Sequence, residues 1–213
     1  MMIIAIDGPA GSGKGTIAKE IALKYNLAHL ETGLLYRALA FKVFENKIEL
    51  ENRTQIIKVA ATITLDDLEN VKLRSEEIGN LASKVATFPE VRQALLEFQR
   101  NFANSPPPSF NGAVLDGRDI GTFVCPQANI KLYITAQLEV RAERRLKELQ
   151  NRGIESIYTA VIQNMRDRDL RDASRQQAPL KIAKDAHIID TSSLSFDDML
   201  KQSIAVIEQH LKK

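Results

Sequence analysis

Between Gly8 and Thr16 the chain reads GPAGSGKGT: two glycines with four residues between them, then a lysine and, two places further on, a threonine hydroxyl. Such a stretch is poor in side chains and rich in free backbone N–H groups, and its glycines let the chain curl until several of those groups point inward. A helix N-terminus following it would add positive potential, and Lys14 could reach the β and γ phosphates of a nucleoside triphosphate. Gly8, Pro9, Ala10, Gly11, Ser12, Gly13, Lys14, Gly15 and Thr16 are therefore the expected nucleoside triphosphate site. A plain strand-to-helix turn would need one glycine and no lysine. The strict pattern puts Ser or Thr directly after the lysine as a Mg²⁺ ligand, whereas Gly15 intervenes here, so no direct protein ligand to the metal is assigned.

A phosphate placed in line with a γ phosphate needs its charge countered, and arginine does this best because its planar fork donates two parallel hydrogen bonds. ETGLLYRA offers Arg37, VLDGRDIG offers Arg118 between Asp116 and Asp119, and MRDRDLRDASR offers Arg168, Asp172 and Arg175. Each has a plainer alternative. RDRDLRD could be a solvated helix laced with i, i+4 ion pairs, Asp119 could cap a helix after GRD, and Asp116 could be a turn residue instead of a group in the second sphere of Mg²⁺. Arg141, Arg144 and Arg145 share one face of a charged helix, which by itself reads as exposed. The three histidines show no metal-ligand spacing; His29 and His187 fall in apparent core strands and read as structural. The single Cys125 excludes an internal disulfide and reads as a buried or half-buried small residue, in keeping with a reducing cytosol.

These groups need a scaffold that brings them together. IIAID (Ile3 to Asp7), HLET (His29 to Thr32), AVLD (Ala113 to Asp116), IKLYIT (Ile130 to Thr135) and HIID (His187 to Asp190) are short apolar runs, most of them apolar on both faces, as in parallel strands covered by helices on both sides. Helical patterns lie between them: Thr16 to Tyr25, Gly33 to Asn46, Glu76 to Asn104, Leu138 to Arg152 and Ile157 to Arg171. A closing helix, SFDDMLKQSIAVIEQHLKK, runs to Lys213 with Ser195 as N-cap and Asp198 at the third helical position. The alternation predicts an α/β doubly wound fold whose strand ends form a crevice for Arg37 and Arg118. Leu50 to Ile78 could hold one or two short strands or only loop, and NSPPPSFNG reads as a stiff surface loop. With 213 residues, 44% apolar and 26% charged, the chain suits one substantial soluble domain. A net charge of +2 is too small for a nucleic-acid coat, and neither a membrane span nor a signal peptide is expected.

The stretches IDGPAGSGKGT, ETGLLYRA, LASKVATFPEVR, LDGRDIGT, RDRDLRD with Arg175 and APL, and IDTSSLS, in this order, resemble the bacterial cytidylate kinases nearly end to end. The resemblance implies transfer of a phosphoryl group from ATP to CMP or dCMP on a P-loop fold, in three layers around a central five-stranded parallel sheet. It implies a single kinase domain over 1–213: a core of about 1–32, 108–137 and 176–213, a monophosphate-binding lobe of about 33–107, and a short lid region of about 138–175. Ser83, Arg92 and Asp119 match the positions that read the cytosine edge. Arg37, Arg118 and Arg175 match acceptor-phosphate ligands, Thr32 lines the monophosphate pocket, and Arg168 and Asp172 match residues that hold the sugar hydroxyls or the phosphate. Lys14, Arg118 and Arg175 are the implied catalytic residues, and Arg144 in the arm leading to the lid is implied to reach ATP. The GKGT variant is that of small monophosphate kinases, in which Mg²⁺ is held mainly by phosphates and water. Taken alone, Ser83 would be helix filling and Arg92 surface charge. The family also implies a cytoplasmic monomer. Its best-known members carry a larger insert where Leu50 to Ile78 is short. A kinase for UMP, AMP or shikimate would share the phosphate loop but lack the Ser83, Arg92, Asp119 combination, and a nucleotide-binding regulatory module would have no use for a second phosphate pocket.

Overall fold

The computed structural model describes residues 1–212, so Lys213 of the predicted closing helix lies outside the described residues. In chain order it runs β1 (Met2–Asp7), α1 (Lys14–Tyr25), β2 (Ala28–Glu31), α2 (Thr32–Glu45), α3 (Arg53–Ala60), α4 (Glu76–Val85) and α5 (Pro89–Asn104). There follow β3 (Gly112–Gly117), β4 (Ile130–Thr135), α6 (Leu138–Asn151), α7 (Tyr158–Ala173), β5 (His187–Asp190) and α8 (Phe196–Leu211). The five strands are parallel in the order β2-β3-β1-β4-β5. Successive side chains of a strand take opposite faces. Ile4, Ile6, Val114, Leu132 and Ile134 accordingly pack against Ile17 and Ile21 of α1 and Met199 and Ile207 of α8. Ala5, Ala113 and Leu115 pack on the other face with Leu35 and Leu39 of α2, Ile78 of α4 and Leu95 of α5. Helices thus cover both faces of the expected α/β sheet.

The register decides where the chemistry can be. Asp7 stands opposite both Gly117 and Tyr133, and Glu31 stands opposite Asp116, so β1, β2 and β3 end level with one another. The glycine loop, the ETG segment and the GRD segment therefore leave the sheet at one edge, where open parallel sheets bind ligands.

Three stretches differ from expectation. Leu50 to Ile78 holds no strand; it forms α3 and two 3₁₀ turns, Asp66–Glu69 and Val71–Arg74. Ile56 and Ala60, four apart, are the buried face of α3, while the side chains of Asn52, Asn70 and Ser75 each accept from a backbone N–H two or three residues on. Local side-chain acceptors of this kind compete with strand ladders. The Glu76 to Asn104 pattern is two helices, because Pro89 occupies the first turn of α5 and disfavours helix in the residue before it. His187 is exposed at the head of edge strand β5, where only Ile189 is buried. NSPPPSFNG is a loop and Cys125 is buried, as expected. Ser195 caps α8 by accepting from the Asp198 N–H at 3.2 Å.

Gly8 opens the phosphate loop at a φ of 152°, and a Cβ there would stand 1.9 Å from the Ile134 carbonyl oxygen of β4. The loop can leave β1 at this angle only without a side chain. Gly8→Ala should therefore lower unfolding stability by on the order of 3 kcal/mol. A urea unfolding midpoint equal to that of the wild type would contradict this close approach.

Candidate functional site

Gly13, at a φ of 90°, heads α1 without a side-chain cap, so the helix presents its first N–H groups and its positive dipole end unmasked. Gly11, Gly13, Lys14, Gly15 and Thr16 line a cavity of about 1070 Å³ at the strand ends. Lys14 is buried, donates to the Pro9 carbonyl at 3.3 Å and has its amine pushed down to about 7, first by burial and then by the neighbouring Arg118 guanidinium. The back of the loop is braced. The Thr191 hydroxyl, fully buried after β5, donates to the Ser12 carbonyl at 3.1 Å, and Arg141 donates to the Ala10 carbonyl at 3.2 Å.

The same cavity takes in every predicted acceptor residue: Thr32, Arg37, Ser83, Arg92, Arg118, Asp119, Arg168, Asp172 and Arg175. Arg92, 3% exposed, pairs with the Asp119 carboxylate and has its guanidinium 5.3 Å from the Tyr36 ring. It is therefore no surface charge. Asp119 heads a π-helical turn, Ile120–Val124, but its side chain caps nothing. Ser83 is buried on the cavity wall with its hydroxyl unpartnered.

Asp172 gathers two of the arginines: Arg118 donates to it at 2.8 Å and Arg175 pairs with its other oxygen. Burial pushes its carboxyl up, but Arg118 and Arg175 together hold it below the usual range. Arg168, half-buried beside them, is pushed down to about 9 by burial and by Arg118, and its Nε has no partner. On α7 the charged run is thus two-sided: Arg168 and Asp172 face the cavity while Arg166 and Asp167 are exposed and bond to Gln163. Arg37 reaches across to the carbonyls of Leu73 and Ser75 at 2.5 and 3.1 Å, passing over Gly79, where a Cβ would stand 2.6 Å from its guanidinium. Thr32, at the start of α2, donates to the Asp116 carbonyl at 2.9 Å, and Asp116 Oδ1 lies 2.8 Å from His29 Nε2. Asp116 is buried at the end of β3, below Gly15.

The α6 arginines divide. Arg144 lines the cavity and donates to the Thr191 hydroxyl and carbonyl at 3.0 and 2.6 Å. Arg145 also lines it and pairs with Glu76 and Glu148. Arg141 is buried between the Ala10 carbonyl and Asp169, bracing the loop from outside the cavity. Asp7, Tyr36, Glu76 and Thr191 were not singled out from the sequence. Thr191 lies within IDTSSLS and Asp7 within IDGPAGSGKGT, so both were inside recognised stretches without a role attached.

A parallel sheet with a glycine loop after its first strand and an uncapped helix behind that loop defines the P-loop class of nucleotide-binding proteins. The fold is shared with the solved structure of an uncharacterized protein from Eubacterium ventriosum, at a TM-score of 0.56 and 16% identity over 98% of this chain and 99% of that one. A model of the family described as Cytidylate kinase matches residues 4–209. The cytidylate kinase of Paramagnetospirillum magneticum is 49% identical over 96% of this chain and 97% of its own, and that of Methylocella silvestris 48% identical over 97% and 94%. The chain belongs to the cytidylate kinase family.

With Lys14 held down to about 7, its amine is largely neutral at pH 8 in the free protein. A polyphosphate bound against it favours the charged form, so binding of tripolyphosphate at pH 8 should take up a proton. Calorimetry in buffers of different ionisation enthalpy measures this; heats independent of the buffer would contradict the shift.

Proposed function

We propose that this chain moves the γ-phosphoryl group of ATP to CMP or dCMP, giving ADP and CDP or dCDP. The observation that carries the reading is a single cavity with two unlike ends. One end is the glycine loop with Lys14; the other holds the buried Arg92–Asp119 pair and the unpartnered Ser83 hydroxyl, with arginines between. Cytosine presents an N4 amino donor beside the N3 and O2 acceptors, which a carboxylate, an arginine and a hydroxyl can match. Asp119 accepts from N4, while Arg92 and Ser83 take the acceptor edge.

ATP lies with its phosphates in the loop Gly8 to Thr16, with Lys14 on the β and γ phosphates and Arg144 alongside. Arg37, Arg118 and Arg175 hold the acceptor phosphate, Thr32 lines its pocket, and Arg168 and Asp172 hold the sugar and phosphate. An acceptor phosphate oxygen attacks the γ phosphorus as the bond to the β–γ bridging oxygen breaks, and that oxygen leaves with ADP. The acceptor oxygen is already anionic, so no strong general base is required. Lys14, Arg118 and Arg175 position the two phosphates and neutralise the charge that spreads over the transferred group. Mg²⁺ would accompany ATP and would supply positive charge against its phosphates. The hard oxygen donors that suit it are the Thr16 hydroxyl on the cavity wall and, through water, the Asp116 carboxylate.

Residues 33–107 act as the monophosphate lobe and 138–175 as the lid region, the latter excluding water that would otherwise take the phosphoryl group. The protein works as a cytoplasmic monomer on these small substrates. The test is ADP formation from ATP and Mg²⁺ with CMP, dCMP, UMP, AMP and GMP in turn. Turnover confined to CMP and dCMP is expected, and turnover confined to another monophosphate would refute the base pocket. Lys14→Met and Arg118→Ala should each lower kcat by roughly 100-fold or more with the fold retained. Near-normal turnover in either purified variant would remove that residue from the mechanism.

A further inference from the structure

A turn that begins with aspartate is ordinarily capped by that aspartate. The π-helical turn Ile120–Val124 follows Asp119, yet the Asp119 side chain makes no cap hydrogen bond and pairs with Arg92 in the cavity wall. The leading N–H groups of the turn are satisfied from another element. Asp7 Oδ1 accepts from the Ile120 N–H at 2.8 Å and Asp7 Oδ2 from the Gly121 N–H at 2.7 Å. Asp7 is buried at the end of β1, and its own main chain runs directly into Gly8. Buried N–H groups without an acceptor are costly, so one of these two aspartates has to serve the turn. With Asp7 doing so, Asp119 is free.

We propose that Asp7 is a positioning residue for selection of the acceptor base: it caps the Ile120–Val124 turn in place of Asp119 and so holds the Asp119 carboxylate toward Arg92. The assignment rests on reading the Arg92–Asp119 pair as the base pocket. Without Asp7, the acceptor next to the turn in sequence is the Asp119 carboxylate at its N-cap position, which would swing back onto its own turn and leave Arg92. Asp7 is the last residue of β1, so its main chain stays in the sheet while its side chain serves the turn.

The test is steady-state kinetics of the full chain and of Asp7→Asn, which keeps the shape but replaces one acceptor oxygen by an NH2 group that cannot accept. CMP and UMP are varied at saturating ATP, and ATP at saturating CMP. KM for CMP should rise roughly 10- to 100-fold, the scale of a lost charge-assisted hydrogen bond, and the preference for CMP over UMP in kcat/KM should fall by a similar factor. KM for ATP should stay as in the wild type. An unchanged CMP preference, or KM values for CMP and ATP that rise together, would overturn the assignment, the latter because a merely structural loss strikes both ends. Should Asp7→Asn not fold, Asp7→Glu takes its place: it keeps the charge and both acceptor oxygens but displaces them by one methylene, and it too must weaken the CMP preference or the assignment fails. A wild-type protein that does not phosphorylate CMP refutes the base pocket and this assignment with it. An active wild type with an indifferent Asp7→Asn refutes Asp7 alone.

Discussion

Positive charge crowded into one cavity is the constraint on which the rest of this structure depends. Lys14, Arg37, Arg92, Arg118, Arg168 and Arg175 share its wall. Two like charges about 4 Å apart repel by roughly 4 kcal/mol at the effective dielectric near a protein surface, so such a set persists only if each member is held. Asp172 serves Arg118 and Arg175, Asp119 serves Arg92, and backbone carbonyls serve Arg37 and Lys14. The compensation is incomplete. Arg118 presses down both Lys14 and Arg168, and the Nε groups of Arg92, Arg168 and Arg175 are buried without partners. A cavity in that condition gains most from ligands that carry several negative charges, which is the physical content of a site for two nucleotides.

The fold answers to this demand. Level strand ends place three loops at one edge, and glycine at position 8 lets the first of them turn over β4. Neither α1 nor α2 has a side chain capping its N-terminus, and both helices begin at the cavity wall, so two helix dipoles add to the potential there. Arg37 owes its path to Gly79, a residue that weakens the interior of α4 in return for room. Arg145 on α6 pairs with Glu76 on α4. The segment read as lid and the segment read as monophosphate lobe therefore touch each other directly over the cavity.

The strands were legible because their apolar runs had no competing pattern, and the phosphate loop because its glycines and lysine have few other uses. What escaped reading was what depends on local polar contacts. Asn52, Asn70 and Ser75 turn 50–78 into helix and 3₁₀ turns through bonds that hydrophobic periodicity does not register. Arg141, Arg144 and Arg145 share a helical face by spacing, yet Arg141 braces Ala10 while its neighbours line the cavity, since only packing against the loop separates them. Asp119 was open between cap and base reader. Nothing local shows that its side chain leaves the turn uncapped, because the group that accepts from the turn instead, Asp7, lies more than a hundred residues away in sequence and meets the turn only through the pairing of β1 with β3.

The central claim is that one cavity takes both nucleotides with their phosphates end to end. It is tested most directly by calorimetric titration with adenosine and cytidine joined 5′ to 5′ through five phosphates. One molecule should bind per chain, far more tightly than ATP or CMP alone because the second contact is intramolecular, and either nucleotide in excess should displace it. Affinity no greater than that for ATP, or continued binding of CMP alongside the linked ligand, would contradict the claim.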